Sequence, residues 1–368
     1  MKLFFSGCAV GLCSLLCAAS PVIPEEIYAV EGKECSVYFA NLAMNGGVPG
    51  EIEVFSKVGR QDAKRWRFVP EAKHAGKSFP LKIEWKAPDG KTLATCESVV
   101  KVAPPVGEKR SITIMLCGSS STDGTFYPRQ LADRLKADGY TVKFIGTHIG
   151  GGKPAVKPDD ILAEGRGGWR YRDYASRWND DPHYKKGKSP FLSGPGKFDY
   201  QDYLNRVNGG KAPDFITIYL GGNDIASATD ETVQRYLDDA AAAFDEVITG
   251  FRKAAPEVKI GIVLSAPPAG QDAFGANYGT VIRRAQYCRN LEKFWGMLEK
   301  KCKQYSGVTP IPVSVGVDTE NHYPSRMEPV SDGSRVMVRR QTNALHPTLD
   351  GNRQIGDIFY FWFRNHLQ

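Results

Sequence analysis

Positions 112–123, Ile-Thr-Ile-Met-Leu-Cys-Gly-Ser-Ser-Ser-Thr-Asp, limit what this chain can fold into more than any other stretch. Six residues rich in β-branched and apolar side chains run directly into a glycine and three serines, and an amphipathic stretch follows at 127–135. That pattern predicts a strand, a tight turn and a helix. A serine in such a turn stands at the C-terminal edge of a sheet, where open α/β folds place their ligands, and its hydroxyl can face a cleft. Ser120 is therefore the candidate nucleophile. The plainer use of a serine there is as a helix N-cap.

The chain around this turn alternates regularly. Strands are predicted at 141–146, 214–220, 259–266 and 308–313, and helices at 230–253, 281–304 and 352–365. Strands alternating with helices predict a doubly wound, mainly parallel sheet with its pocket at the C-terminal strand ends. Three such ends carry polar chemistry. Glu164-Gly165-Arg166-Gly167-Gly168-Trp169 follows the second strand and is flexible enough to turn a backbone N–H into the cleft. Gly221-Gly222-Asn223-Asp224 follows the third strand and offers the Asn223 amide as a donor. Asn343-Ala344-Leu345-His346-Pro347 precedes the last helix and puts a histidine on a loop. A serine, a histidine and two or three donors are the parts of an acyl-transfer site: nucleophile, general base and oxyanion hole. Each part has a duller use as turn glycine, cap or surface histidine; their order along the chain argues for the site.

The ordered set Gly118-Ser119-Ser120, Gly168, Gly221-Gly222-Asn223-Asp224 and Asn343-Ala344-Leu345-His346-Pro347 resembles the blocks of the SGNH (GDSL) hydrolase family, over 109–368. The resemblance implies a flavodoxin-like three-layer α/β sandwich. It also implies Ser120 as nucleophile, the Ser120 N–H, Gly168 and Asn223 as oxyanion donors, and His346 as base, with no cofactor. Together with a preceding β domain, the chain is similar to bacterial secreted members associated with carbohydrate breakdown. It departs from the family twice. Ser119 stands where the first block has aspartate, and Asn343 stands where the last block has the aspartate that holds the histidine. Through its amide oxygen Asn343 can accept the histidine Nδ1–H and fix the tautomer, but it supplies no negative charge for the imidazolium. Asp332 is a further candidate for that carboxylate.

Residues 22–106 read as all β. Short runs at 34–39, 50–56, 65–69, 81–85 and 98–102 are separated by turn signals such as Asn45-Gly46-Gly47 and Asp89-Gly90, which predicts a small sandwich. Ala103-Pro104-Pro105 then reads as a stiff linker. For this domain, sugar binding and a packing or spacer role both stand open. Residues 1–19 read as a secretory signal peptide cleaved after Ala19, too short to span a bilayer. Beyond it five cysteines remain, an odd number. Cys288 and Cys302 share one predicted helix about 21 Å apart, beyond disulfide reach, and are expected free and buried. Cys35 and Cys96 flank the β domain and could pair. No cysteine or histidine spacing suggests a metal site.

The formal charge of +7 is spread along 368 residues with no basic stripe, so nucleic acid is not expected as a partner. The connection at 169–211 is long for a compact domain and holds Trp169, Tyr171, Trp178 and further aromatics. Leaving the sheet just after Gly168, it is expected to roof the pocket. Its rings, with Trp169, Tyr171 and Trp178 foremost, would either stack on sugar or form a satellite core under the loop. The expected function is a secreted, metal-free serine esterase that removes an acyl group, chiefly acetyl, from carbohydrate. A carbohydrate-binding protein with weakened catalysis is the alternative, and a lipase or thioesterase a further one.

Overall fold

The computed structural model describes residues 21–44, 48–108, 111–157 and 159–367. The predicted leader and the turn at 45–47 lie outside the described residues. The β-rich N-terminal region forms two sheets. One runs in the order Glu26–Ala29, Thr92–Val102, Ser78–Lys86, Glu51–Ser56, and the other Cys35–Tyr38, Arg65–Phe68, Arg60–Gln61. Val37, Trp66, Phe68, Ile83, Trp85 and Val100 are buried there. Alternation of such residues with exposed polar ones is what a sheet with one wet face requires. Strand Glu26–Ala29, absent from the sequence reading, pairs parallel to Thr92–Val102.

This region is fastened to the rest of the chain. The Asn41 amide donates to the Val317 carbonyl at 2.9 Å, Gln354 Nε2 donates to the Tyr38 hydroxyl at 3.2 Å, and Arg364 donates to the Pro104 carbonyl at 2.9 Å. The predicted linker is thus packed, with Ala103 buried. Cys35 and Cys96 are unpaired, and all five described cysteines are free and buried. Cys288 and Cys302 do share one helix, Arg284–Cys302.

The remainder is an α/β sandwich. Strand Ser111–Gly118 pairs in parallel with Thr141–Ile145 along its first part and with Glu164–Gly165 at its end. On its other side follow Phe215–Tyr219, Lys259–Val263 and Val308–Ile311, all parallel. Every residue of Phe215–Tyr219 is buried, Thr217 included, as a largely apolar run predicts for a strand covered on both faces. Helices Phe126–Ala137 and Leu349–His366 pack together on one face, where Trp362 and Phe363 meet Phe215. Helices Val233–Ala254 and Arg284–Cys302 pack together on the other. No helix of the described residues is long and apolar enough to cross a membrane.

Two features lie outside the predicted alternation. A hairpin, Ser325–Pro329 with Met337–Gln341, precedes the histidine loop. The long connection holds helices Tyr171–Ser176 and Tyr200–Asn208 with a small hairpin between them.

Candidate active site

Strand Ser111–Gly118 runs straight into the short helix Ser120–Asp123. Gly118 makes this abrupt junction possible: a Cβ there would lie 2.1 Å from Thr122 Oγ1 and 2.9 Å from the Tyr219 carbonyl oxygen. Ser119 N–H donates to that same carbonyl at 3.2 Å, so the turn is pinned to the neighbouring strand. As the first residue of the helix, Ser120 keeps a backbone N–H that no intrahelical acceptor can satisfy.

His346 arrives from 226 positions downstream and sets Nε2 at 2.8 Å from Ser120 Oγ. Its loop is held at several points. Ala344, fully buried, donates its N–H to Asn277 Oδ1 at 2.7 Å and accepts from Ala269 N–H at 2.9 Å. Thr348 N–H donates to the His322 carbonyl at 2.8 Å, and its hydroxyl caps helix Leu349–His366 by accepting from Gly351 N–H. For Nε2 to accept the serine proton, the ring proton must reside on Nδ1.

Asn343 serves that loop differently from the sequence expectation. Its amide oxygen accepts the backbone N–H groups of Leu345 at 3.1 Å and His346 at 2.9 Å. It therefore fixes where the histidine stands, and it does so through the backbone and not through Nδ1. Asp332 lies exposed in the turn of the hairpin that precedes the loop, and among the described residues it has no bond to His346. Although His346 is exposed, packing around its ring lowers its pKa below the ordinary histidine value, and desolvation is the cause. The ring is thus neutral, and able to act as a base, near neutral pH.

The two further donors sit on adjoining loops. Trp169 N–H closes a turn onto the Arg166 carbonyl at 3.1 Å, with Gly168 in the left-handed region at φ +84°. A glycine is needed at that place in such a turn. Gly168 is exposed and its N–H has no acceptor among the described residues. Asn223 donates one amide hydrogen to the Trp169 carbonyl at 3.1 Å. An amide nitrogen carries two, so one remains for a ligand.

Trp169 and Tyr171 correct the sugar-stacking expectation. They are 1% and 0% exposed and present no ring face to a ligand. The Arg166 and Arg177 guanidinium groups lie 5.0 and 5.3 Å from the Trp169 ring centroid, and Tyr171 packs on Phe244. Tyr174, Phe191, Tyr200 and Tyr203 join Phe251 in a cluster of ring contacts. The aromatics of the long connection are largely a satellite core. Trp178, half-buried under Lys188 Nζ at 4.3 Å, keeps part of its ring accessible.

Beneath the site lies an ion pair that the sequence did not reveal. The fully buried Glu164 carboxylate takes Arg166 Nη1 at 2.5 Å, Thr147 N–H at 2.8 Å and the Tyr203 hydroxyl at 3.0 Å. The Tyr174 hydroxyl, with one hydrogen to give, stands against the carbonyls of Gly118 and Glu164. It joins the end of strand Ser111–Gly118 to the base of the Gly168 loop. The acid and base alternating in Glu164-Gly165-Arg166 were the one signal available. No group of His, Cys, Asp and Glu that could hold a metal ion is found among the described residues.

The profile of the family described as GDSL-like Lipase/Acylhydrolase matches residues 114–359, which include Ser120, Gly168, Asn223 and His346. No curated protein matches the chain. Among solved structures, the chain is similar to a family 3 carbohydrate esterase of Clostridium thermocellum, with 19% identity, 70% of this chain and 98% of that one covered, and TM-score 0.42. It is also similar to a carbohydrate acetylesterase family member from Sinorhizobium meliloti, with 14% identity, 69% and 97% covered, and TM-score 0.42. A carbohydrate esterase family 3 protein from Talaromyces cellulolyticus shares 16% identity, with 68% and 96% covered and TM-score 0.40.

Proposed function

The chain belongs to the GDSL-like lipase/acylhydrolase family, and on that footing we propose that it is a secreted serine esterase that removes short acyl groups, chiefly acetyl, from carbohydrate. The observation that carries this reading is the 2.8 Å contact between Ser120 Oγ and His346 Nε2 at the C-terminal end of the first central strand. Ser120 Oγ attacks the ester carbonyl carbon while Nε2 takes its proton. The carbonyl oxygen becomes an oxyanion facing the N–H groups of Ser120 and Gly168 and the free amide hydrogen of Asn223. Collapse breaks the ester C–O bond, and the leaving alkoxide takes the proton from Nε2. Water then gives a proton to Nε2 as its oxygen attacks the acyl carbon, and Ser120 departs with that proton.

A polar rim supports the substrate class. Asp123, three residues after the nucleophile, accepts from the Tyr184 hydroxyl at 3.0 Å and pairs with Lys185 at 3.2 Å. Lys185 Nζ reaches the Gly167–Gly168 turn, where a Cβ on Gly167 would stand 3.1 Å from it. The Asp123 carboxylate is mostly buried and fixes the other two groups, and a hydroxyl and an ammonium held beside the turn suit a polyhydroxyl leaving group better than a long acyl tail. The leader in the sequence carries the proposal of export, to be checked by finding Ser20 as the first residue of the exported protein.

Hydrolysis of p-nitrophenyl esters from acetyl to octanoyl, alongside acetate release from a peracetylated sugar, tests the reading. The expected result is fastest turnover of acetyl and measurable release from the sugar. Octanoyl outpacing acetyl would move the protein to the lipase reading, and no turnover at all to the sugar-binding one.

A further inference from the structure

Asp224 is 5% exposed, in the short helix Gly222–Ile225 directly after the oxyanion candidate Asn223. Its Oδ1 accepts the Tyr171 N–H at 3.0 Å, while its Oδ2 is buried without a hydrogen-bond partner among the described residues. The Tyr171 hydroxyl is buried unpartnered as well. Asn223 at the same time donates to the Trp169 carbonyl. Two adjacent side chains thus grip the backbone on both sides of Arg170: a carbonyl before it and an N–H after it. That backbone is the continuation of the turn in which Gly168 presents its N–H.

Resting on the acyl-transfer reading above, we propose that Asp224 is a positioning residue of the oxyanion hole: by accepting the Tyr171 N–H it fixes, with Asn223, the segment that aims the Gly168 N–H. The surroundings favour the neutral acid on the acid side of about pH 7. Helix Val233–Ala254 packs on the short helix with an apolar face, and helix Arg284–Cys302 brings the Tyr287 hydroxyl to its edge. The charged groups facing Asp224 are Arg170, which favours its anion, and Asp173, which opposes it. Arg170 is itself engaged with Asp173 at 3.2 Å, and among the described residues no cation pairs directly with Asp224. Burial accordingly pushes the Asp224 carboxyl up to about 7. In the neutral form it holds the loop without setting a negative charge beside the donors of a developing oxyanion. Ionisation places that charge there, and it opposes the transition state.

The test compares Asp224→Ala and Asp224→Asn with the unaltered protein at pH 6 and pH 8.5. It reads kcat and KM for p-nitrophenyl acetate, the rate of Ser120 phosphonylation by a fluorophosphonate, and thermal unfolding. Asp224→Ala is expected to lose about ten- to a hundredfold in kcat at pH 6 with KM within about twofold, and to be phosphonylated more slowly in parallel. Asp224→Asn keeps the acceptor for Tyr171 N–H, so it should return to within about threefold of the unaltered kcat at pH 6. It should also abolish the decline between pH 6 and pH 8.5 that the proposal expects of the unaltered protein. Full kcat in Asp224→Ala, a loss confined to KM, or an Asp224→Asn protein no better than Asp224→Ala overturns the proposal. Should Asp224→Ala fail to fold, Asp224→Asn decides alone: a tenfold loss at pH 6, or an unchanged alkaline decline, overturns it. Failure of the unaltered protein to hydrolyse any ester would sink the esterase reading instead. Phosphonylation rates then decide the role of Asp224, with an unslowed Asp224→Ala contradicting it.

Discussion

The Asn343 amide oxygen accepts the His346 backbone N–H at 2.9 Å, so the residue that stands in for the family's aspartate orients the histidine through the main chain. An aspartate at 343 could keep that contact with one oxygen and offer the other to Nδ1–H. At an effective dielectric of about 20 and a separation of about 5.5 Å, the added charge is worth about 3 kcal/mol to the imidazolium, or about a hundredfold in rate. Asn343→Asp is therefore expected to raise kcat/KM for p-nitrophenyl acetate by up to about a hundredfold, whereas Asp332→Asn should leave it unchanged. A severe loss in Asp332→Asn would show that a carboxylate already serves His346.

The pH dependence of kcat/KM reports the same histidine. Desolvation lowers the His346 pKa, and the ring works as a base only when neutral. Activity should therefore fall on acidification with a midpoint below 6.5, and Asn343→Asp should move that midpoint upward, since a nearby anion favours imidazolium. A midpoint above 6.5 in the unaltered protein would point to an acid that the structure does not place beside the ring.

Asn223 commits one amide hydrogen to the Trp169 carbonyl, and the other is proposed to meet the acyl oxygen. Asn223→Ala should lower kcat by about ten- to a thousandfold with little change in KM, because the donor acts as charge develops. Steady-state kinetics showing a large rise in KM with kcat intact would make Asn223 a ground-state binding residue.

Asp224 also makes a stability prediction. Its folded pKa is raised above the unfolded value, so its contribution to stability is fully present below about pH 4 and is lost as pH rises through about 7. Asp224→Asn does not titrate. Its unfolding temperature should gain on that of the unaltered protein as pH rises from 4 to 7.5, measured by calorimetry. A difference that stays constant over this range would mean that the carboxyl is already charged in the fold.

Much of the architecture was legible in the sequence because local pattern and burial agree. The strand predicted at 214–220 is the fully buried strand Phe215–Tyr219, and the patterns at 230–253 and 281–304 became helices Val233–Ala254 and Arg284–Cys302. The order of the motifs also pointed to Ser120 and His346 together, and they meet at 2.8 Å, Ser120 at the end of a parallel strand and His346 on the loop between the hairpin and the last helix. What the sequence hid was set by distant contacts. Periodicity cannot tell whether Trp169 stacks on a ligand or packs against Arg166 and Arg177. The asparagine at 343 carried a local clue, since Asn oxygens commonly accept the N–H groups two and three residues on. Glu164 gave only the alternation of acid and base in Glu164-Gly165-Arg166, and its burial follows from Arg166, Thr147 and Tyr203 converging on it; the burial of Asp224 is set by the helices Val233–Ala254 and Arg284–Cys302 that pack on its own short helix.

The proposed chemistry begins with Ser120 as the nucleophile paired with His346. Incubation with a fluorophosphonate, followed by peptide mass spectrometry, should place one phosphonyl group per chain on Ser120. Ser120→Ala should abolish both the adduct and ester turnover, and His346→Ala should slow the labelling by orders of magnitude. An adduct on Ser119 or Ser121, or unchanged turnover in Ser120→Ala, would contradict the account.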